Sequence, residues 1–120
     1  MSYDFMMFEP RGAINAMADI TASNLCLQNA DTIKDKLTRL FPKIEWENKG
    51  DRGWLGRLSE DGDAYEFRLP AGDDECWTIN TAEENHDTAI VAKICSSLEL
   101  LAFDGQALEL IDASGRRPAQ

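Results

Sequence analysis

No apolar run in this sequence approaches the roughly 18 to 20 residues needed to cross a bilayer, so a membrane-spanning helix is not expected. The N-terminal stretch Met1 to Phe8 has no basic residue and no small-residue cleavage site, and Asp4 interrupts its apolar character. A secretory signal is therefore not expected, and the cytoplasm is the expected compartment. Cysteine is scarce and odd in number: Cys26, Cys76 and Cys95 are widely separated and form no Cys-x-x-Cys pair. That argues against a disulfide framework and fits free, buried thiols in a reducing compartment. Histidine occurs once, at His86, and a lone imidazole with no identifiable partner nucleophile does not define a catalytic triad. Gly50, Gly53 and Gly56 lack the lysine-serine ending and the strand-to-helix context of a phosphate loop, so they read as turn and strand glycines.

The most informative absence is of positive charge in one stretch. From Glu60 to Asp87 there are ten acidic residues, namely Glu60, Asp61, Asp63, Glu66, Asp73, Asp74, Glu75, Glu83, Glu84 and Asp87, against one base, Arg68. The chain as a whole carries minus ten, so the remainder is nearly neutral and the excess charge has an address. Such a surface repels nucleic acid and anionic membranes, whose recognition rests on Lys and Arg, and it suits a basic protein partner. Hydrophobic residues make up 43% and charged residues 28% of the 120, ordinary usage for one folded domain with a real core. The expected division is a single domain over 1–112 and a frayed tail over 113–120.

Period and punctuation predict the elements. Ser2 to Phe8 is apolar on both alternating faces, the pattern of a central strand covered on both sides, and Pro10 and Gly12 end it. Ala13 to about Ala22 has Ile14, Met17 and Ala18 at helical spacing and predicts a first helix. Asn29 or Asp31 can cap a second, with Ile33, Leu37, Leu40 and Phe41 as its stripe and Pro42 closing it. From Ile44 to Thr81 the chain reads as an antiparallel meander carrying Trp46, Trp54 and Trp77, with turns at 48–53, at Asp61-Gly62 and at 70–73. In this meander Gly56 leaves room for a large neighbour across the ladder. Asp87 can cap a third helix bearing Ile90, Val91, Ile94, Cys95, Leu98 and Leu101. A short strand over 101–103, able to pair with the first, a turn at Asp104-Gly105 and a last strand over 108–111 complete the order. The fold class is α+β: a mainly antiparallel sheet with a central meander and two to three helices packed on it, a ferredoxin-like sandwich with extensions being one such arrangement.

Two functional readings follow. In the first the protein is a non-enzymatic binder. Glu60, Asp61, Asp63, Asp73, Asp74 and Glu75 supply the field for a basic partner, and Trp54 or Trp77 supplies an aromatic anchor. No cofactor or metal is called for, and a homodimer is compatible provided the acidic face stays out of the contact. In the second, His86 works with Glu83, Glu84 or Asp87 as a small metal-dependent hydrolase. The acidic turns do not complete a calcium-loop pattern.

The opening Ser2-Tyr3-Asp4-Phe5-Met6-Met7-Phe8-Glu9-Pro10 resembles the start of small, largely uncharacterised bacterial proteins with a Ser-Tyr-Asp-Phe-Met-Val-Phe-type strand. The segment Leu100 to Gln106 resembles the Val-x-Phe-Asp-Pro-Gln ending of similar proteins, with Gly105 where proline is common. Some such proteins are associated with toxin–immunity loci. The resemblance thus implies an immunity or antitoxin-like role, with a basic toxin surface as the thing occluded.

Overall fold

The computed structural model describes residues 2–119 apart from Asp61 and His86. Strand β1 (Ser2–Pro10) lies in the middle of the sheet, as its two apolar faces require. Its Phe5 and Met7 point to one side and Phe8 to the other, and all three are buried. Two-residue strands β2 (Leu25–Cys26) and β3 (Gln28–Asn29) lead into helix α1 (Ala30–Leu40). Asn29 caps α1, its side-chain oxygen accepting the Thr32 N–H at 3.2 Å. The meander follows as β4 (Glu45–Asn48), β5 (Trp54–Glu60), β6 (Asp63–Leu69) and β8 (Cys76–Ala82), with the two-residue β7 (Asp73–Asp74) pairing β3. Helix α2 (Ala89–Leu98), β9 (Leu101–Asp104), β10 (Glu109–Asp112) and β11 (Gly115–Pro118) close the chain.

The main sheet runs β11-β10-β9-β1-β8-β6-β5-β4, with β2 added at the end of β1, and every pairing in it is antiparallel. Both α-helices pack on one side, where Ile33 and Leu37 of α1 and Val91, Ile94 and Leu98 of α2 meet Phe5, Met7, Phe67, Ile79 and Ile111. One transverse row on this side, Trp46, Gly56, Phe67, Ile79 and Phe5, crosses five strands in register. A Cβ at Gly56 would sit 2.6 Å from the Trp46 ring, so the glycine is what lets the indole lie flat across the ladder. The register one residue away carries Glu45, Arg57, Glu66, Asn80 and Asp4 on the opposite, open side.

Four expectations change. Residues 13–22 are not a helix but an irregular cover with 3₁₀ turns at Met17–Asp19 and Ala22–Asn24. The Asp19 carboxylate accepts the Asn15 and Ala16 N–H groups at 3.1 Å, drawing those donors to the side chain, while Ile14 packs beneath Phe8, Leu25 and Leu110. The described helices are therefore two rather than three. The ferredoxin-like plan is not the one adopted: α2 links β8 to β9 across β1, but α1 links β1 to β4 across three intervening strands. Finally, residues 115–118 are an edge strand, not a frayed tail. Arg116 donates to Asp104 at 2.9 Å and to Glu109 at 2.6 Å, and Arg117 pairs with Asp112 and donates to the Ile14 carbonyl at 3.2 Å. No described helix is long and apolar enough to cross a membrane.

Candidate functional site

Strand direction decides where the acidic residues go. The β5–β6 hairpin closes beside the exit of β8, since Tyr65 is opposite Thr81 and the Thr81 hydroxyl donates to the Ala64 carbonyl at 2.9 Å. Glu60, Asp63, Glu83, Glu84 and Asp87 therefore share one end of the sheet. The β6–β8 connection lies at the other end, across the seven residues of β6, which span about 20 Å. Asp73, Asp74 and Glu75 are there. The expected single acidic face is thus two separate ends, with Glu66 between them on the open side. Asp61 and His86 lie outside the described residues.

The two ends treat their carboxylates differently. Asp73 accepts from the Asn29 amide at 2.8 Å, and Asp74 accepts the Glu75 and Cys76 N–H groups at 2.7 and 3.4 Å, beside the N-terminus of α1 where negative charge is favoured. At the opposite end Asp87 accepts the Ala89 N–H at 2.9 Å, serving the start of α2 as expected although Thr88 holds the cap position itself. The carboxylates of Glu60, Asp63, Glu83 and Glu84 have no hydrogen bond or ion pair with any described residue. Their loop is held instead by Asn85, 7% exposed, whose amide donates to the Tyr65 and Thr81 hydroxyls at 3.1 and 2.9 Å and whose oxygen accepts the Asp87 N–H at 3.0 Å. Asn85 was not singled out from sequence, where an asparagine among acids carries no distinguishing period or spacing.

Neither tryptophan proposed as an anchor offers a free ring. Trp77 is 3% exposed, edge-on to Phe67 at 6.5 Å, and its indole donates to Gln28 at 3.0 Å, so it belongs to the core and is withdrawn as an anchor. Its place on the apolar side of β8 follows from the same alternation that put Ile79 in the core. Trp54 is half-buried; its indole donates to Asp31 at 3.1 Å and the Lys34 ammonium stands 4.6 Å over its ring.

The open side of the sheet carries a groove of about 600 Å³ at the end where the unpartnered acids lie. Ser59, Ala64 and Ala82 are small residues that leave the hollow between the longer Arg57, Glu66 and Asn80. They are the chain neighbours of Glu60, Asp63 and Glu83, although alternation turns Glu60 and Asp63 toward the helix side. Beside the groove on the same side of the sheet, Arg68 donates to Glu66 at 3.1 Å and to Asn80 at 2.8 Å, and Asn80 donates to Asp4 at 2.5 Å.

Burial, aided by Asp112, pushes the Cys95 thiol up to about 12, and burial with Asp74 and Glu75 nearby raises Cys76 as well, so neither is an activated nucleophile. Burial raises Tyr3, and its hydrogen bond to Asp104 raises it further. Asp104 is fully buried. Burial alone would raise its carboxyl, but hydrogen bonds from Tyr3 at 2.5 Å, Arg116 at 2.9 Å and the Ala107 and Gln106 N–H groups at 3.0 and 3.1 Å outweigh that and hold it below the ordinary range. Sequence marked Asp104 only as a turn residue, whereas it ties β1, β9 and β11 together. Among the described residues no three His, Cys, Asp or Glu side chains are grouped so as to hold a metal ion. No family model matches this chain, and no curated protein and no solved structure matches it significantly.

Proposed function

We propose that this is a non-enzymatic binding domain whose acidic end, Glu60, Asp63, Glu83 and Glu84, engages a basic protein partner and occludes its positive surface. The observation that carries this reading is that all four of these carboxylates lack any partner among the described residues, while at the opposite end Asp73 and Asp74 are used by the fold and Glu75 alone is not. Unpaired exposed charge of one sign steers a complementary partner and discriminates against wrong ones. The resemblance at the two ends of the chain implies an immunity or antitoxin-like role with the cytoplasm as the place of contact, and the charge separately suits a toxin whose basic surface is made for nucleic acid. Asp73, Asp74 and Glu75, about 20 Å away along β6, do not belong to the same contact in this reading.

The test is calorimetric titration against the purified product of the adjacent reading frame, in low and high salt. Reversing Glu60, Asp63, Glu83 and Glu84 to lysine should weaken association by about 100-fold or more, with wild-type affinity falling as salt rises. Reversing Asp73, Asp74 and Glu75 should change it less than about threefold. Equal effects from both ends, or none from either, would make the reading wrong.

A further inference from the structure

A second feature of the open side is independent of the acidic end. Beyond Arg57, where the turn 49–53 folds back over β5, lies a hollow of about 260 Å³ lined by Lys49, Arg52, Arg57 and Arg68 together with Trp54, Leu55 and Glu66. Four of the chain's twelve basic residues thus converge on one place in a molecule of net charge minus ten. Three elements bring them together. The turn supplies Lys49 and Arg52, closed by the Lys49 N–H donating to the Gly53 carbonyl at 2.7 Å. β5 supplies Arg57, and β6 supplies Arg68 directly opposite Leu55.

Positive charge is in surplus there. Glu47 is shared by Lys49 at 2.6 Å and Arg57 at 3.1 Å, and Glu66 by Arg57 at 3.8 Å and Arg68 at 3.1 Å. The Arg52 side chain has no carboxylate or hydrogen-bond partner among the described residues. Two carboxylates serve three of the four cations and none serves Arg52, although the chain has 22 acidic residues to draw on and leaves several of them unpartnered elsewhere. Leu55, 6% exposed, lies among these residues as an apolar, water-poor lining, where charge-assisted hydrogen bonds are stronger than in open water.

We propose that this hollow binds a phosphate-type oxyanion, held between the guanidinium groups of Arg52, Arg57 and Arg68 with Lys49 as an additional point charge. Planar guanidinium forks match the oxygens of a tetrahedral anion in pairs, which a set of lysines would not do. The hollow is smaller than the roughly 300 Å³ at which sites for whole drug-sized ligands begin, so it takes a phosphoryl head and leaves the rest of a larger molecule outside.

The experiment is NMR titration of the isotope-labelled chain with inorganic phosphate, ionic strength held constant with sodium chloride. Saturable shifts confined to the amides around Arg52, Leu55, Arg57 and Arg68 are expected. Arg52→Gln removes a side chain that supports nothing else in the fold, and it should weaken binding about tenfold while leaving the other amides in place. Glu66→Gln should do the opposite and tighten it, because it removes a competing carboxylate. A parallel titration with phenyl phosphate distinguishes the sources: tighter binding than inorganic phosphate points to a phosphomonoester ligand, equal binding to the free anion. Shifts that do not saturate, that chloride reproduces, or that Arg52→Gln leaves unchanged would overturn the proposal.

Discussion

The two ends of the sheet hold acidic residues drawn from one uninterrupted stretch of sequence, yet they put them to different use. At the end formed by the β6–β8 connection, Asp73 and Asp74 are acceptors for Asn29 and for backbone N–H groups beside the start of α1. At the end formed by the β5–β6 hairpin and the loop into α2, Asp87 alone among the described residues has such a task; the carboxylates of Glu60, Asp63, Glu83 and Glu84 have no described partner. A carboxylate that satisfies peptide donors contributes to folding and is not free for another molecule. One that satisfies none costs the fold some self-repulsion and keeps its field for an outside partner.

The largest effect is expected at Asp104, the one buried carboxylate among the described residues and the extreme case of a carboxylate used by the fold. Asp104→Ala should cost about 3 to 5 kcal/mol in urea unfolding, because Arg116 and the Tyr3 hydroxyl lose the charge that they were built around. Its pH signature is specific. The folded carboxyl titrates below its unfolded value, so its contribution is complete above about pH 4 and is lost as pH falls through the folded value. Measured as the difference between wild type and Asp104→Asn, the penalty should therefore be constant at neutral pH and shrink in acid.

Next in size, Asn85→Ala should cost about 2 kcal/mol, since it removes two donated bonds and one accepted bond from a buried site, and hydrogen exchange should speed up through the loop 83–87. At the opposite end Asp74→Ala should cost about 1 kcal/mol by exposing the Glu75 and Cys76 N–H groups. The smallest effect completes the comparison. Glu83→Gln with Glu84→Gln should leave thermal stability within about 0.5 kcal/mol or raise it slightly, and the gain should vanish in high salt. If that pair proved as costly as Asp74→Ala, the distinction between the two ends would fail.

Much of the element order was legible because its signals are local. The two-sided apolar pattern of Ser2 to Phe8 placed β1 in the middle, the Ile33, Leu37, Leu40 stripe with an asparagine before it produced α1, and Gly56 signalled room for a large neighbour, which is the Trp46 indole. What misled was local too. Ile14, Met17 and Ala18 have helical spacing, but the Asp19 carboxylate accepts the Asn15 and Ala16 N–H groups at the head of a single 3₁₀ turn, Met17–Asp19, which goes no further. Residues 113–120 have tail-like composition, but Arg116 and Arg117 find Asp104, Glu109 and Asp112, partners invisible until β9 and β10 are in register. The candidate site was legible in composition and not in place, for ten acids in a row of turns look like one surface until strand directions are assigned.

By itself the sequence determined that the fold is α+β with an antiparallel meander, and that nearly all the net negative charge lies between Glu60 and Asp87, because alternation, helical spacing and charge are properties of neighbouring residues. Only the tertiary structure decided that this charge divides between two ends, that Trp77 is core, and that four basic residues from a turn and two strands surround one hollow. Those depend on the pairing of β5, β6 and β8, and each reversal of an antiparallel chain carries successive turns to opposite ends of the sheet.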